Sequence, residues 1–257
     1  MDGFGRPSYK TEIMKNLTMY SVILLAMILM TSCQDRGNNG LFNCIEGEGD
    51  VVAQELLINE FTSVKSRGSS QVYITQGNDF KVEVEGQGNI IDNIETDIQN
   101  DVWEIEFDEC QRNFTDLKIY ITMPVIKSLE VSGSGDMFGQ DAFLVEKINL
   151  KVDGSGSIDV AIDGATDVDA RIAGSGKIIL AGTTNYLGSK ISGSGDLKAY
   201  DLEANIANIK IVGSGDAEVT VNDELDVKIE GSGDVYYKGN PIINVDITGS
   251  GDLRNMN

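Results

Sequence analysis

The chain has no histidine, and only three prolines, three cysteines and one tryptophan among 257 residues. Without histidine, a Ser-His-Asp or Cys-His nucleophilic site cannot be assembled. Zinc sites built on imidazole are excluded for the same reason. Basic residues are scarce: 20 Lys and Arg stand against 41 Asp and Glu, a formal net charge of −21. That balance argues against nucleic acid or an anionic lipid surface as a partner. Long apolar runs are also lacking. The run from Val22 to Met30 is too short to span a bilayer comfortably.

Glycine is abundant, and it is periodic. The triplet Gly-Ser-Gly begins at Gly133, Gly154, Gly174, Gly193, Gly213, Gly231 and Gly249. A repeat of about 20 residues is the signature of a solenoid. Two residues before each triplet stand Val131, Val152, Ile172, Ile191, Ile211, Ile229 and Ile247, all β-branched. Four before stand Leu129, Leu150, Ala170, Ser189, Ile209, Val227 and Val245. After the triplet, Met137, Ile158, Ile178, Leu197, Ala217, Val235 and Leu253 share one position. Alternation of period two on both sides predicts strand, glycine corner, strand, loop. One such unit cannot bury its own apolar positions. Stacked units can, because each column recurs about 4.8 Å higher in the next coil. The expected fold is all-β, a parallel β-helix with about 20 residues per coil, right-handed by the crossover rule. An antiparallel meander with glycine hairpins is the alternative.

The start of the chain reads as a targeting segment. A basic opening at Met14-Lys15-Asn16 precedes the apolar run, which ends at Met30-Thr31-Ser32-Cys33. This resembles a bacterial lipoprotein signal with Cys33 as the lipidated residue; cleavage near Ser32 as an ordinary signal is the alternative. Residues 1–32 are then the signal, 1–13 being an upstream extension, and 33–44 a polar tether. The mature chain holds 17 basic and 39 acidic residues, net −22, so attachment to a membrane would come from acyl chains alone. Cys44 and Cys110 remain in an exported chain as a candidate disulfide; two free thiols are the alternative.

Within 45–257 the repeat is blurred as far as residue 130 and regular over 131–257. Gly47-Glu48-Gly49-Asp50, Gly68-Ser69-Ser70 and Gly86-Gln87-Gly88 look like relics of the corner. The blurred part is expected to cover one end of the solenoid, since terminal units must differ from internal ones.

Several of these stretches together resemble the head GIN domain family of putative auto-transporter adhesins. They are Phe61-Thr62-Ser63-Val64, Val72-Tyr73-Ile74-Thr75-Gln76-Gly77 and Phe80-Lys81-Val82-Glu83-Val84. To them belong Leu129-Glu130-Val131-Ser132-Gly133-Ser134-Gly135-Asp136, the later triplets, and Tyr237-Lys238-Gly239-Asn240-Pro241. The likeness covers about residues 45–252. It implies a β-helical envelope lipoprotein. It carries no catalytic residues across, and fold does not establish function.

Two columns offer chemistry. The corner column runs Asp136, Ser157, Lys177, Asp196, Asp216, Asp234 and Asp252. Its last four carboxylates are candidate calcium ligands; the alternative has each Asp bonding backbone N–H groups at its own corner. Three residues before each triplet lies a second column. It runs from Glu130 through Lys151, Arg171, Lys190, Lys210 and Lys228 to Asp246. Five consecutive basic positions form a candidate ligand stripe for an acidic glycan; the alternative is a solvated face paired with nearby acids. No residue is assigned to catalysis and no cofactor is called for. A polysaccharide lyase or hydrolase on this scaffold is the least favoured reading. The expectation is a non-enzymatic protein lipid-anchored to the outer membrane, periplasmic or surface-exposed. It would bind a glycan or protein, with a self-associating structural protein as alternative.

Overall fold

The computed structural model describes residues 44–115 and 117–257. Cys33, the signal segment and all of the tether except Cys44 lie outside the described residues. In chain order the elements begin with β1 (Ile45–Glu46), β2 (Val51–Glu55), β3 (Ser63–Gly68), β4 (Gln71–Gln76) and β5 (Lys81–Gln87). Helix α1 (Gly88–Ile91) precedes β6 (Ile98–Gln99), β7 (Val102–Ile105), β8 (Gln111–Arg112) and β9 (Lys118–Met123). The array continues as β10 (Ser128–Gly133), β11 (Asp136–Phe143), β12 (Lys147–Gly154), β13 (Ser157–Gly174), β14 (Lys177–Gly193) and β15 (Asp196–Gly213). It closes with β16 (Ala217–Gly231), β17 (Val235–Lys238), β18 (Ile242–Gly249) and β19 (Leu253–Asn255).

From Ser128 onward every strand pair is parallel and joins successive coils, so the chain is a β-solenoid and the meander is excluded there. Each coil presents one strand before the glycine corner and one after it. The β-branched residues two before the triplet stack in strict register from Val131 to Ile247. Alternate side chains point inward, as the pleat requires, and those of the internal coils are buried.

The corners need glycine for two reasons. Gly213 has φ 133°, a region that side chains with a Cβ avoid. A Cβ there would also run into the carbonyl oxygen of Gly193 one coil back. The neighbouring Ser214 N–H donates to that same carbonyl at 2.8 Å, so the close approach serves the coil-to-coil hydrogen bonding.

The expected loops between coils are largely absent as loops. β13, β14, β15 and β16 bend but continue to pair. The unequal spacing of the triplets is absorbed there as register shifts, for example between Ala199 and Glu203. Keeping the backbone paired through the bend leaves few N–H and C=O groups without a partner.

The N-terminal part is wound out of chain order. β3 and β4 make a true coil whose Gly68 stacks under Gly133. The later coil of β7 and β9 lies on the far side of that one, not between it and β10. β5 then covers β9 antiparallel, β2 covers β5, and β6 covers β7. Of the three corner relics only Gly68-Ser69-Ser70 is a corner. Gly86-Gln87-Gly88 ends β5 and starts α1, and Gly47 to Gly49 lies in the link between β1 and β2. Trp103, buried beside Phe61 (ring centroids 5.5 Å), plugs this end together with Ile90 and Ile91 of α1. Cys44 and Cys110 are joined as a disulfide, with Cα atoms 4.5 Å apart.

Candidate functional site

The corner carboxylates build the coil stack. The N–H of Asp234 donates to Oδ1 of Asp216 at 2.8 Å, and that of Asp252 to Oδ1 of Asp234 at 2.8 Å. The N–H of Asp216 reaches Oδ1 of Asp196 at 3.3 Å. The alternative reading placed each such bond within its own corner; the structure places it between coils. Each Asp therefore clips the next turn to its own. Arg254 sits against both Asp234 and Asp252, 3.1 Å from each. Among the described residues no group of three or more His, Cys, Asp or Glu side chains is arranged to hold a metal ion.

The basic column is also in register: Lys151, Arg171, Lys190, Lys210 and Lys228 face outward on successive strands. Its two ends are neutralised. Lys151 lies 3.1 Å from Glu130 and 2.5 Å from Asp153. Lys228 lies 3.3 Å from Glu230 and 3.4 Å from Asp246. Hydrogen bonds to Asp153 and to Glu230, respectively, hold these two ammonium groups above the ordinary lysine pKa. Arg171 leans on Asp169 at 2.7 Å, and Lys210 is 3.7 Å from Glu230. Lys190 has no acidic group within 4.0 Å among the described residues. Its outward neighbours on the strand are Gly188 and Ser192, and beside them on the adjacent coils stand Asp169, Ala173, Asn208 and Val212, Asp169 being the carboxylate that Arg171 engages.

Beside Lys190 is an aromatic ring that sequence reasoning passed over. Tyr186, Gly188 and Lys190 are successive outward positions of β14. The Tyr186 ring folds over Gly188: a Cβ placed on that glycine would sit 3.2 Å from Cε1 of the ring. Burial, with Asp167, Asp169 and Asp226 nearby, raises the phenol pKa above its ordinary value, so it stays a neutral donor. The signal was present as Tyr-Leu-Gly-Ser-Lys, an aromatic two residues before a glycine at outward parity. Toward the last coil, Asn208, Asp226, Lys228, Asn244 and Asp246 line a shallow groove on the same face. The centre of this surface thus offers a half-buried ring, one ammonium without an acidic partner, two flanking cations held by Asp169 and Glu230, and neutral hydrogen-bonding groups.

The chain belongs to the family described as putative auto-transporter adhesin, head GIN domain, whose model matches residues 60–241. Three solved structures show the same fold. A putative adhesin from Bacteroides fragilis superposes with TM-score 0.76 at 24% identity, covering 82% of this chain and all of the other. A putative lipid binding protein from Parabacteroides distasonis gives 0.71 at 24% identity, covering 84% of this chain and all of the other. A putative adhesin from Parabacteroides merdae gives 0.64 at 22% identity, covering 83% of this chain and 99% of the other. No curated protein sequence matches the chain. The family indicates an adhesin-like, cell-envelope or surface protein. No helix among the described residues is long and apolar enough to cross a membrane.

Proposed function

We propose, with membership of the head GIN family as premise, that this chain is a non-enzymatic envelope lipoprotein whose outer β14 surface binds an acidic glycan. The observation that carries this is the unpaired Lys190 beside the Tyr186 ring laid over Gly188. Aromatic faces pack against the C–H face of a sugar ring, and a desolvated ring adds apolar area to a site otherwise made of exposed charges. Lys190, with Arg171 and Lys210 on either side, supplies cations at a coil spacing of about 4.8 Å, a step comparable to one residue of an extended glycan. Asn208 and Ser192 supply neutral hydrogen bonds. The overall negative charge opposes an acidic polymer at long range, so binding is modest and weakens with salt.

The test measures binding of polygalacturonate at low salt, with dextran as the neutral control. Changing Arg171, Lys190 and Lys210 together to Gln removes three exposed contacts of about 0.2–1 kcal/mol each, a loss of roughly tenfold. Thermal stability should stay nearly unchanged, as at other surface positions. Tyr186→Ala should weaken binding by itself. Failure of the wild type to bind, or equal binding by the triple variant, would show the stripe to be a solvated face. Attachment through acylated Cys33 belongs to the same proposal. Palmitate incorporation by the wild type, lost in Cys33→Ser, checks it; label retained in that variant sinks it.

A second reading, a self-associating envelope protein, draws on one observation: the last coil leaves its inner columns open.

A further inference from the structure

The three inner columns of the first strand of each coil end on Ile243, Val245 and Ile247 of β18. These are 36%, 52% and 38% exposed, whereas Leu225, Val227 and Ile229 one coil earlier are 0%, 3% and 0%. Ile242, on the outer face of the same strand, is 74% exposed. β18 pairs with β16 on one side, and no described strand pairs with its other edge. Residues in step with Asn149 turn their N–H groups to the preceding coil, as Asn149 does toward the Lys127 carbonyl at 3.0 Å. Alternation along the strand then aims the N–H and C=O groups of Ile243, Val245 and Ile247 at the free edge. Such an edge is a template for another strand.

From these features we infer that β18 pairs antiparallel with β18 of a second copy of this chain, with Val245 on the two-fold axis. Three observations select that occupant, and all rest on the fold, independently of any glycan bound at Lys190.

The first is charge. Residues 237–257 carry Lys238 and Arg254 against Asp246 and Asp252, a net of zero, so the whole net charge of −21 lies in residues 1–236. Two such anionic bodies repel least when they approach through their neutral coils.

The second is the pattern of β18 itself. A two-fold at Val245 sets Ile243 opposite Ile247 of the second copy, and Val245 opposite its equivalent. The inner columns then run on from one copy into the other as apolar stacks. On the outer face Asn244 meets Asp246, and Ile242 meets Thr248. No like charges stand directly opposite, an arrangement that would cost stability. All the facing inner residues are of the type that exchanges both backbone bonds in an antiparallel pair.

The third is the other end of the solenoid. There β5 and β6 run antiparallel to the outermost coil strands β9 and β7, and the column to which β18 belongs ends on β6. Parallel head-to-tail stacking of this open edge onto that covered end is therefore blocked. The self-complementary contact closes as a dimer and does not propagate into a filament.

The test uses the full chain in membranes of the expressing cell, with Val245→Cys under mild oxidation. Cα atoms of a bonded antiparallel pair are about 5.5 Å apart, within reach of a disulfide. Cys44 and Cys110 are already joined to each other. The expected result is a covalent homodimer at least about tenfold more abundant than from Val125→Cys, an exposed position outside this edge. Val245→Asp puts carboxylates face to face and should return the detergent-solubilised protein from dimer to monomer in sedimentation, with an unchanged circular dichroism spectrum. Equal cross-linking at both positions, a cross-link to a different protein, or a wild type that sediments as a monomer would each overturn the inference.

Discussion

The two ends of the solenoid carry the same inner columns and treat them in opposite ways. The column that passes through Ile191 and Ile211 terminates on Ile105 at one end and on Ile247 at the other. Ile105 is fully buried; Ile247 is 38% exposed. At the Ile105 end the chain departs from its own winding rule. It inserts a coil out of order, lays antiparallel strands across the outermost coils, drops α1 on the opening, and ties the segment with a disulfide. At the Ile247 end the winding simply continues until the described chain stops. A repeat can extend a core indefinitely but cannot close it, because closing needs residues that do not obey the repeat. The irregular residues 45–130 do that at the Ile105 end.

This comparison can be broken by truncating one column at three heights. Ile211→Ala, in mid-stack, and Ile105→Ala, at the closed end, each leave a cavity among buried neighbours and should cost about 2–5 kcal/mol. Ile247→Ala removes methyl groups that already touch solvent, so its cost in an isolated chain should be below about 1 kcal/mol. Urea unfolding of the three variants measures the difference. A loss at Ile247 as large as at Ile211 would mean that the last coil is covered, and would point to the paired form as the folded unit. Lys190→Ala, outward from the neighbouring column, sets the baseline at within about 0.5 kcal/mol.

What the sequence disclosed follows the same division. The stack was legible because each residue's inward or outward role repeats with the triplet: Val131, Ile172 and Ile229 announce one column without any knowledge of the rest. The corner carboxylates were legible as a column, but their bonding was not. Spacing says that Asp216 and Asp234 are one coil apart; it does not say that the N–H of one would find the side chain of the other. The closed end was opaque because its order in space is not its order in the chain. β9 sits between β4 and β5, although β5 comes first. A reading that assumes each segment stacks on its predecessor must fail there. Gly86-Gln87-Gly88 was misread for that reason, having the composition of a corner at a place where the chain leaves the winding. Tyr186 escaped notice for a different reason. Its column holds Asp167 in the preceding coil and Ile206 in the next, so no repeat singles it out, and only the bare surface of Gly188 lets its ring lie down.

The smallest expected effect sharpens the contrast through pH. On the outer face of the closed end Glu104 lies 2.7 Å from Lys65 and also pairs with Arg67. Hydrogen bonds from Lys65, ahead of those from Arg67, hold its carboxyl pKa below the ordinary value of 4.5. A carboxylate whose pKa is lower in the folded state stabilises that state above the unfolded value, and the contribution is lost as pH falls through the folded value. Glu95 works the other way. Burial and then Glu106 raise its pKa, so acidification relieves it before Glu104 begins to protonate. The net expectation is a closed end that strengthens slightly as pH falls from neutrality toward about 5, then weakens below the ordinary carboxylate range. Trp103, the one tryptophan in the chain, is fully buried next to Glu104 and reports on that end alone. Its fluorescence should follow unfolding of the closed end in urea, while far-ultraviolet circular dichroism follows the stack. In Glu104→Gln the Trp103 transition should be weaker at neutral pH, by no more than about 1 kcal/mol as for other partly exposed pairs, and should lose its further decline in acid. If that variant declines between pH 5 and 3 as steeply as the wild type, the acid sensitivity of the closed end lies in carboxylates other than Glu104.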